Sequence, residues 1–252
     1  FAMRGNLRFA LVCGTLLLSA LACSLPALPG RCARTLDAET LDRARLAMEP
    51  TAEMQPGATR TFQLSTAECC YYLEPIENAC VVYSVEPAGL AEIDAETGEL
   101  QVSPDTPNGA VLTVRADVED GRRVVTLDVH VYTPGEAPLV GVWHEDVQFD
   151  CAGGEVTPEE RIGELRFKAD GTFSVTWAPF EIYRDYWGAY AVDPATGGII
   201  LTVEGGNHAP EDLDGEGTMR FDESGRLVLD GVWLGTPHGG SATPGCGHRF
   251  VR

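Results

Sequence analysis

The chain lacks the short signatures that announce common chemistries. It has no Gly-x-Ser-x-Gly elbow, no His-Glu-x-x-His, no phosphate-binding glycine loop and no dinucleotide-type glycine pattern, so an enzyme is the minority reading. His144, His208, His238 and His248 show no metal-ligand spacing and read as scattered strand and loop histidines; no cofactor and no metal are expected. Positive charge is scarce too. Eighteen Lys and Arg stand against 38 Asp and Glu, for a net charge of -20, and the basic residues form no stripe. That excludes a nucleic-acid partner and leaves the acidic excess as a solubilising surface. No apolar run reaches the ~20 residues that span a bilayer as a helix.

What is present begins with an export signal. Met3-Arg4 and Arg8 form a short positive region, Phe9 to Leu21 is an uncharged apolar run, and "SALAC" closes it with small residues; Phe1 and Ala2 precede the start and are set aside. The phrase "LLLSALAC" resembles the bacterial lipobox, although position 20 is Ala where Leu is commonest. The resemblance implies cleavage after Ala22 and a diacylglyceryl group on Cys23, hence an exported protein held at the envelope membrane through its lipid. Cysteine parity agrees. Eight cysteines, less Cys13 in the signal and a lipidated Cys23, leave six that can all pair.

With 44% hydrophobic residues in 252, the chain is expected to fold around two cores. Residues 23 to 50 are Pro- and Ala-rich and read as a tether, with at most a short helix from about Asp37 to Leu46. From Ala58 to Tyr132, β-branched and polar residues alternate, and Asp120-Gly121 between two period-two runs marks a hairpin; residues 51 to 134 read as a β-sandwich. The stretch "VVYSVEPAGLAEIDAETGELQVSPDTPNGAVLTVRADVEDGRRVVTLDVHVY" resembles a bacterial immunoglobulin-like domain of group 2. That implies a spacer or adhesive module and no catalysis. "ECCYYLEPIENAC" departs from the family pattern. Its Cys69, Cys70 and Cys80 join Cys32 as four cysteines open to three pairings, with the adjacent pair expected to bond to different partners.

"TPGEAP" at 133 to 138 separates this region from a second one, 139 to 252. There, eight strands can be counted without a helical period between them: 139 to 149, 162 to 169, 172 to 178, 182 to 192, 198 to 204, 216 to 222, 226 to 234 and 247 to 251. Eight sequential strands are the number at which an up-and-down antiparallel sheet closes into a small barrel. The expected fold class is therefore all-β, a sandwich followed by a barrel. Gly141-x-Trp143 on the first strand, echoed at Gly231-x-Trp233, resembles the lipocalin signature, although the region is shorter than a usual lipocalin; "calycin-type" describes it better. The resemblance implies that Trp143 closes one end and that an Arg near the last strand, Arg249 or Arg252, packs across it. In such a barrel the end of the first strand lies beside the start of the eighth. Cys151 and Cys246 are thus expected to form a disulfide, worth on the order of 4 kcal/mol in the chain-entropy picture.

Period-two phasing places Trp143 with Glu145, Phe173 with Trp177, and Leu227 and Leu229 with Trp233 on the inner face. Trp143, Glu145, Phe173, Trp177, Tyr186 and Trp233 are the candidate ligand-binding residues. An aromatic wall suits a small apolar or glycan-like ligand, whereas a barrel of this size is also just filled by its own side chains. Glu145, as an inward carboxylate, needs a partner, which Tyr, Arg or a ligand could supply. "DLDGEGTMRFDE", 212 to 223, fits a calcium-loop template and equally a hairpin turning at Glu223-Ser224-Gly225; the two compete for Thr218 to Phe221. The sequence thus points to a non-enzymatic envelope lipoprotein whose barrel binds a small ligand or another envelope protein. The rival reading is an envelope hydrolase using Glu145.

Overall fold

A computed structural model describes residues 35–68, 72–180, 183–237 and 245–252. The signal, the lipobox and Cys32, Cys69 and Cys70 lie outside these residues. Among the described residues the fold is all-β apart from one short helix, α1 (Ala38–Arg43). Asp37 caps it by accepting from the Thr40 backbone N–H at 2.7 Å. It stops short of the expected Leu46 because β1 (Ala44–Arg45) turns extended to pair with β4 (Ser65–Glu68), to which β5 (Tyr72–Pro75) adds as the outer strand. The segment read as a tether therefore enters the fold well before residue 50, with Leu36, Leu41, Ala44 and Leu46 all buried.

Two further sheets complete this first half. Strands β2 (Thr51–Met54), β10 (Arg123–Val131), β9 (Val111–Val118) and β6 (Val81–Glu86) form one sheet in that order, with β2 parallel to β10. The other runs β3 (Thr59–Thr61), β8 (Glu99–Val102), β7 (Ala91–Ile93). Alternate residues of both, among them Met54, Tyr83, Leu100, Val102, Leu112, Val114 and Val129, share one hydrophobic cluster with the α1 segment. The β9–β10 hairpin turns where expected, with Glu119, Asp120 and Gly121 all at positive φ. Cys80 is disulfide-bonded; the pairing expected of it involves cysteines outside the described residues.

The second half is a closed barrel. Strands β11 (Gly141–Phe149), β13 (Glu164–Phe167), β14 (Thr172–Thr176), β15 (Tyr186–Asp193), β16 (Gly198–Gly206), β17 (Glu216–Phe221), β18 (Leu227–Asp230) and β19 (Gly247–Val251) pair antiparallel in chain order, and β19 returns to pair with β11. The two-residue β12 (Glu155–Val156) adds a short ribbon to β11. Thr218 to Phe221 belong to β17, and Asp222 accepts from the backbone N–H groups of Ser224 and Arg226, so the hairpin reading holds for that stretch. Cys151 and Cys246 are bonded, with Cα atoms 4.9 Å apart, and clip the β11–β19 seam.

Several strands are shorter than expected: β13 spans 164 to 167 rather than 162 to 169, β14 ends at 176 rather than 178, and β15 begins at 186 rather than 182. β18 ends at Asp230 because Gly231, at φ +78, turns the chain. Trp233 therefore does not continue the inner row of Leu227 and Leu229. It forms an isolated antiparallel bridge with Asp214 at the barrel's end.

The candidate site: a filled barrel with a buried hydrogen-bond chain

All six candidate residues are buried, none more than 5% exposed. Trp143 sits apart from the rest. Its indole N–H donates to the Leu139 carbonyl at 2.8 Å, and the Arg252 guanidinium lies over its ring, 4.6 Å from the centroid, while also donating to the Pro138 carbonyl. Arg249, the other residue considered for that place, points outward and pairs with Asp146 and Glu155. Phe173 and Trp177 both pack against Tyr186, with centroids 6.1 and 5.9 Å away. Leu165, Phe167, Val175, Leu227, Leu229 and Phe250, each fully buried, fill the space between these aromatics.

Glu145 finds its partners within the chain. Its Oε2 accepts the Ile162 backbone N–H at 2.9 Å, and its Oε1 lies 2.6 Å from Nδ1 of His248, whose other ring nitrogen accepts the Leu234 backbone N–H at 3.1 Å. A nitrogen that accepts carries no proton, so this geometry assigns the neutral imidazole with its proton on Nδ1, donated to a Glu145 carboxylate. The Leu234 carbonyl in turn accepts from the Tyr186 hydroxyl at 2.7 Å. A continuous chain of buried hydrogen bonds thus runs from Tyr186 through Leu234, His248 and Glu145 to Ile162, tying β15, the segment after β18, β19, β11 and the strand-entry loop before β13. Burial first, then the nearby charges of Asp185, Asp212 and Glu145, push the Tyr186 phenol well above its ordinary value, so it remains a donor.

Trp233 caps this chain. Its indole stacks on the His248 ring with centroids 4.9 Å apart, and its N–H donates to Asp212 at 2.9 Å. Asp212 also accepts from the Thr236 backbone and hydroxyl. Burial opposes its ionisation, but the bonds from Thr236 and Trp233 outweigh that and hold its carboxyl below the usual range. The acidic residue that opens the calcium-like motif is thus occupied in fixing the loop after β18.

Sequence reasoning grouped His248 with scattered histidines, yet it is fully buried. The available signal was its period-two spacing from Phe250 on the last strand, which points both inward. Tyr186, Glu145 and Trp233 each contact His248 or Leu234, with Trp177 packed on Tyr186, whereas Trp143 with Arg252 forms a separate contact. The two faces expected for "YWGAY" are also present: Tyr186 is buried, whereas Trp187 is 39% exposed, its indole flat against Gly205, where an added Cβ would lie 3.0 Å from the ring.

Outside the barrel wall, the two halves meet through ion pairs. Glu49 bridges Lys168 and Arg184, Glu53 accepts from Arg166 and from the Ala169 backbone, and Thr51 donates to Asp170 at 2.6 Å. Lys168 is the only lysine in the sequence. Burial of Glu49 disfavours its charge, but the bond from Lys168 and the charges of Lys168, Arg184 and Arg166 more than offset this and hold its carboxyl below the ordinary value.

Comparison with known proteins gives no family model that matches the chain and no curated protein that matches it in sequence. No helix among the described residues is long and apolar enough to cross a membrane.

Proposed function

We propose that this chain is an exported, lipid-anchored, non-enzymatic binding protein of a cell envelope, in which an immunoglobulin-like unit spaces a calycin-type barrel from the membrane and the barrel engages another envelope protein through its outer surface. The observation that carries this reading is the occupancy of the barrel by its own side chains, with both oxygens of the buried Glu145 and Asp185 carboxylates already hydrogen-bonded. A small apolar ligand would have to displace a packed core. A hydrolase would have to free Glu145 from His248 and Ile162. Neither has room to act without opening the wall. The Trp143–Arg252 closure and the eight-strand order support the calycin-type assignment, and a disulfide spanning 95 residues suits an oxidising compartment.

The test uses the full exported chain. Mass spectrometry of membrane-extracted protein should find Cys23 as an acylated N-terminus; a free terminus at Ser24 or beyond removes the anchor. Trp fluorescence should stay unchanged through a panel of apolar and glycan-like compounds. A saturable response that Trp177→Ala abolishes with the fold retained would restore the ligand cup.

A further inference from the structure

A cleft of about 450 Å³ lies where the first half meets the barrel, within the range of small-molecule sites. One side is built by residues 46 to 53 and by Arg60 to Ser65, the other by Arg166 and Lys168 at the end of β13. The chain is strongly acidic, yet this lining carries three cations, Arg60, Arg166 and Lys168, against two carboxylates, Glu49 and Glu53.

The hydrogen-bonding capacity of those groups is unevenly spent. Each oxygen of Glu49 is taken, one by Lys168 and one by Arg184. Each oxygen of Glu53 is also taken, by the Ala169 backbone at 2.5 Å and by Arg166 at 3.4 Å. The donors are not exhausted. Arg166 uses one terminal nitrogen on Glu53, and Arg60 has no carboxylate partner among the described residues; it is exposed, with its guanidinium held 5.0 Å over the Phe62 ring. A guanidinium offers five N–H groups in a planar fork that matches a carboxylate. Thr61, Gln63 and Ser65 add uncharged polar groups to the same lining.

From this surplus of donors over acceptors we infer that the junction cleft is a binding site for a small polyhydroxylated carboxylate, the chemistry of a sugar acid, whose carboxylate is held by Arg60 with Arg166 and whose hydroxyls meet Thr61, Gln63 and Ser65. The occupant is either a free sugar acid or a residue of an acidic polysaccharide. This goes beyond the proposed envelope role and does not depend on the anchor or on the barrel interior. Electrostatic attraction supplies much of the contact, so binding weakens as salt rises.

The experiment is calorimetric titration of the full exported chain with glucuronate, a linear trigalacturonate, glucose and inorganic phosphate. Glucuronate or the trimer binds saturably at millimolar concentrations or below, and glucose does not. Arg60→Ala weakens that binding by about tenfold or more, the loss of roughly 1.4 kcal/mol, and Arg60→Lys recovers part of it. Because Arg60 lies on the surface, unchanged circular dichroism and an unchanged thermal transition of the variant separate lost binding from lost fold. Tighter binding of the trimer than of the monomer identifies the polysaccharide source, and equal binding the free acid. Absence of saturable binding by either acid, equal affinity of wild type and Arg60→Ala, or phosphate binding as tightly as the sugar acids would each overturn the inference.

Discussion

His248→Phe removes one ring nitrogen that serves Glu145 and another that serves Leu234, while keeping a planar ring for Trp233 to stack on. Glu145, whose side chain is wholly buried, would keep only the Ile162 N–H. Leaving a buried charged group short of a hydrogen-bond partner costs about 3 kcal/mol or more. The orphaned Leu234 N–H adds about 1–3 kcal/mol, and local relaxation brings the expected total to about 5 kcal/mol. That is a large share of the ~5–15 kcal/mol that stabilises an ordinary domain. Replacing both partners, Glu145→Met with His248→Phe, removes the stranded charge, so the double variant should be about 2 kcal/mol more stable than the single one. All four Trp, at 143, 177, 187 and 233, lie in the barrel, so intrinsic fluorescence during urea unfolding reports that half alone. A single-variant loss below about 1 kcal/mol, or a double variant no better than the single, would refute the buried-carboxylate account.

Three further outcomes are expected. Cys151→Ser should lower barrel stability by up to about 4–5 kcal/mol in the chain-entropy model for a loop of this length, and peptide mapping of the wild type should yield the 151–246 pair; unchanged stability would show that the seam holds without it. Arg252→Ala should cost about 1–2 kcal/mol and shift Trp143 emission, since it deletes a cation over the ring and donors to the Pro138 and Val140 carbonyls. Asp212 has a folded carboxyl held below its ordinary value, so its contribution is fully present above the unfolded value and is lost as pH falls through the depressed folded one. Acid unfolding monitored by fluorescence should therefore become less steep in Asp212→Asn.

The barrel was legible because strands such as β13 and β17 alternate and the turns carry Gly, Asp and Pro at the right places: the 198 and 216 starts and the whole of 247 to 251 coincide with observed strands. Its closure was legible through Cys151 and Cys246, which sit at the two edges that must meet. Trp233 misled because Gly231 fits the strand pattern by spacing, whereas its positive φ is a property of the folded turn. The partner of Glu145 stayed hidden because a histidine on a short strand looks the same whether it faces water or core, and their contact spans 103 residues. The junction was invisible for a related reason. Glu49 meets Lys168 and Arg184 across 119 and 135 residues, and no local pattern couples such distant charges.

The seam disulfide also sets how this protein can respond to a mechanical load. In the barrel, a pull applied between Pro138 and Arg252 could draw out only residues 139 to 151 and 246 to 252, because the loop between the cysteines, which lie 95 positions apart, is closed covalently and is shielded from tension. An unlinked barrel would pay out its full contour at ~3.3–3.6 Å per residue, whereas this one yields a short, fixed extension and keeps most of its strands unloaded. The clip at the seam thus makes the barrel a nearly inextensible link in whatever chain of contacts it joins.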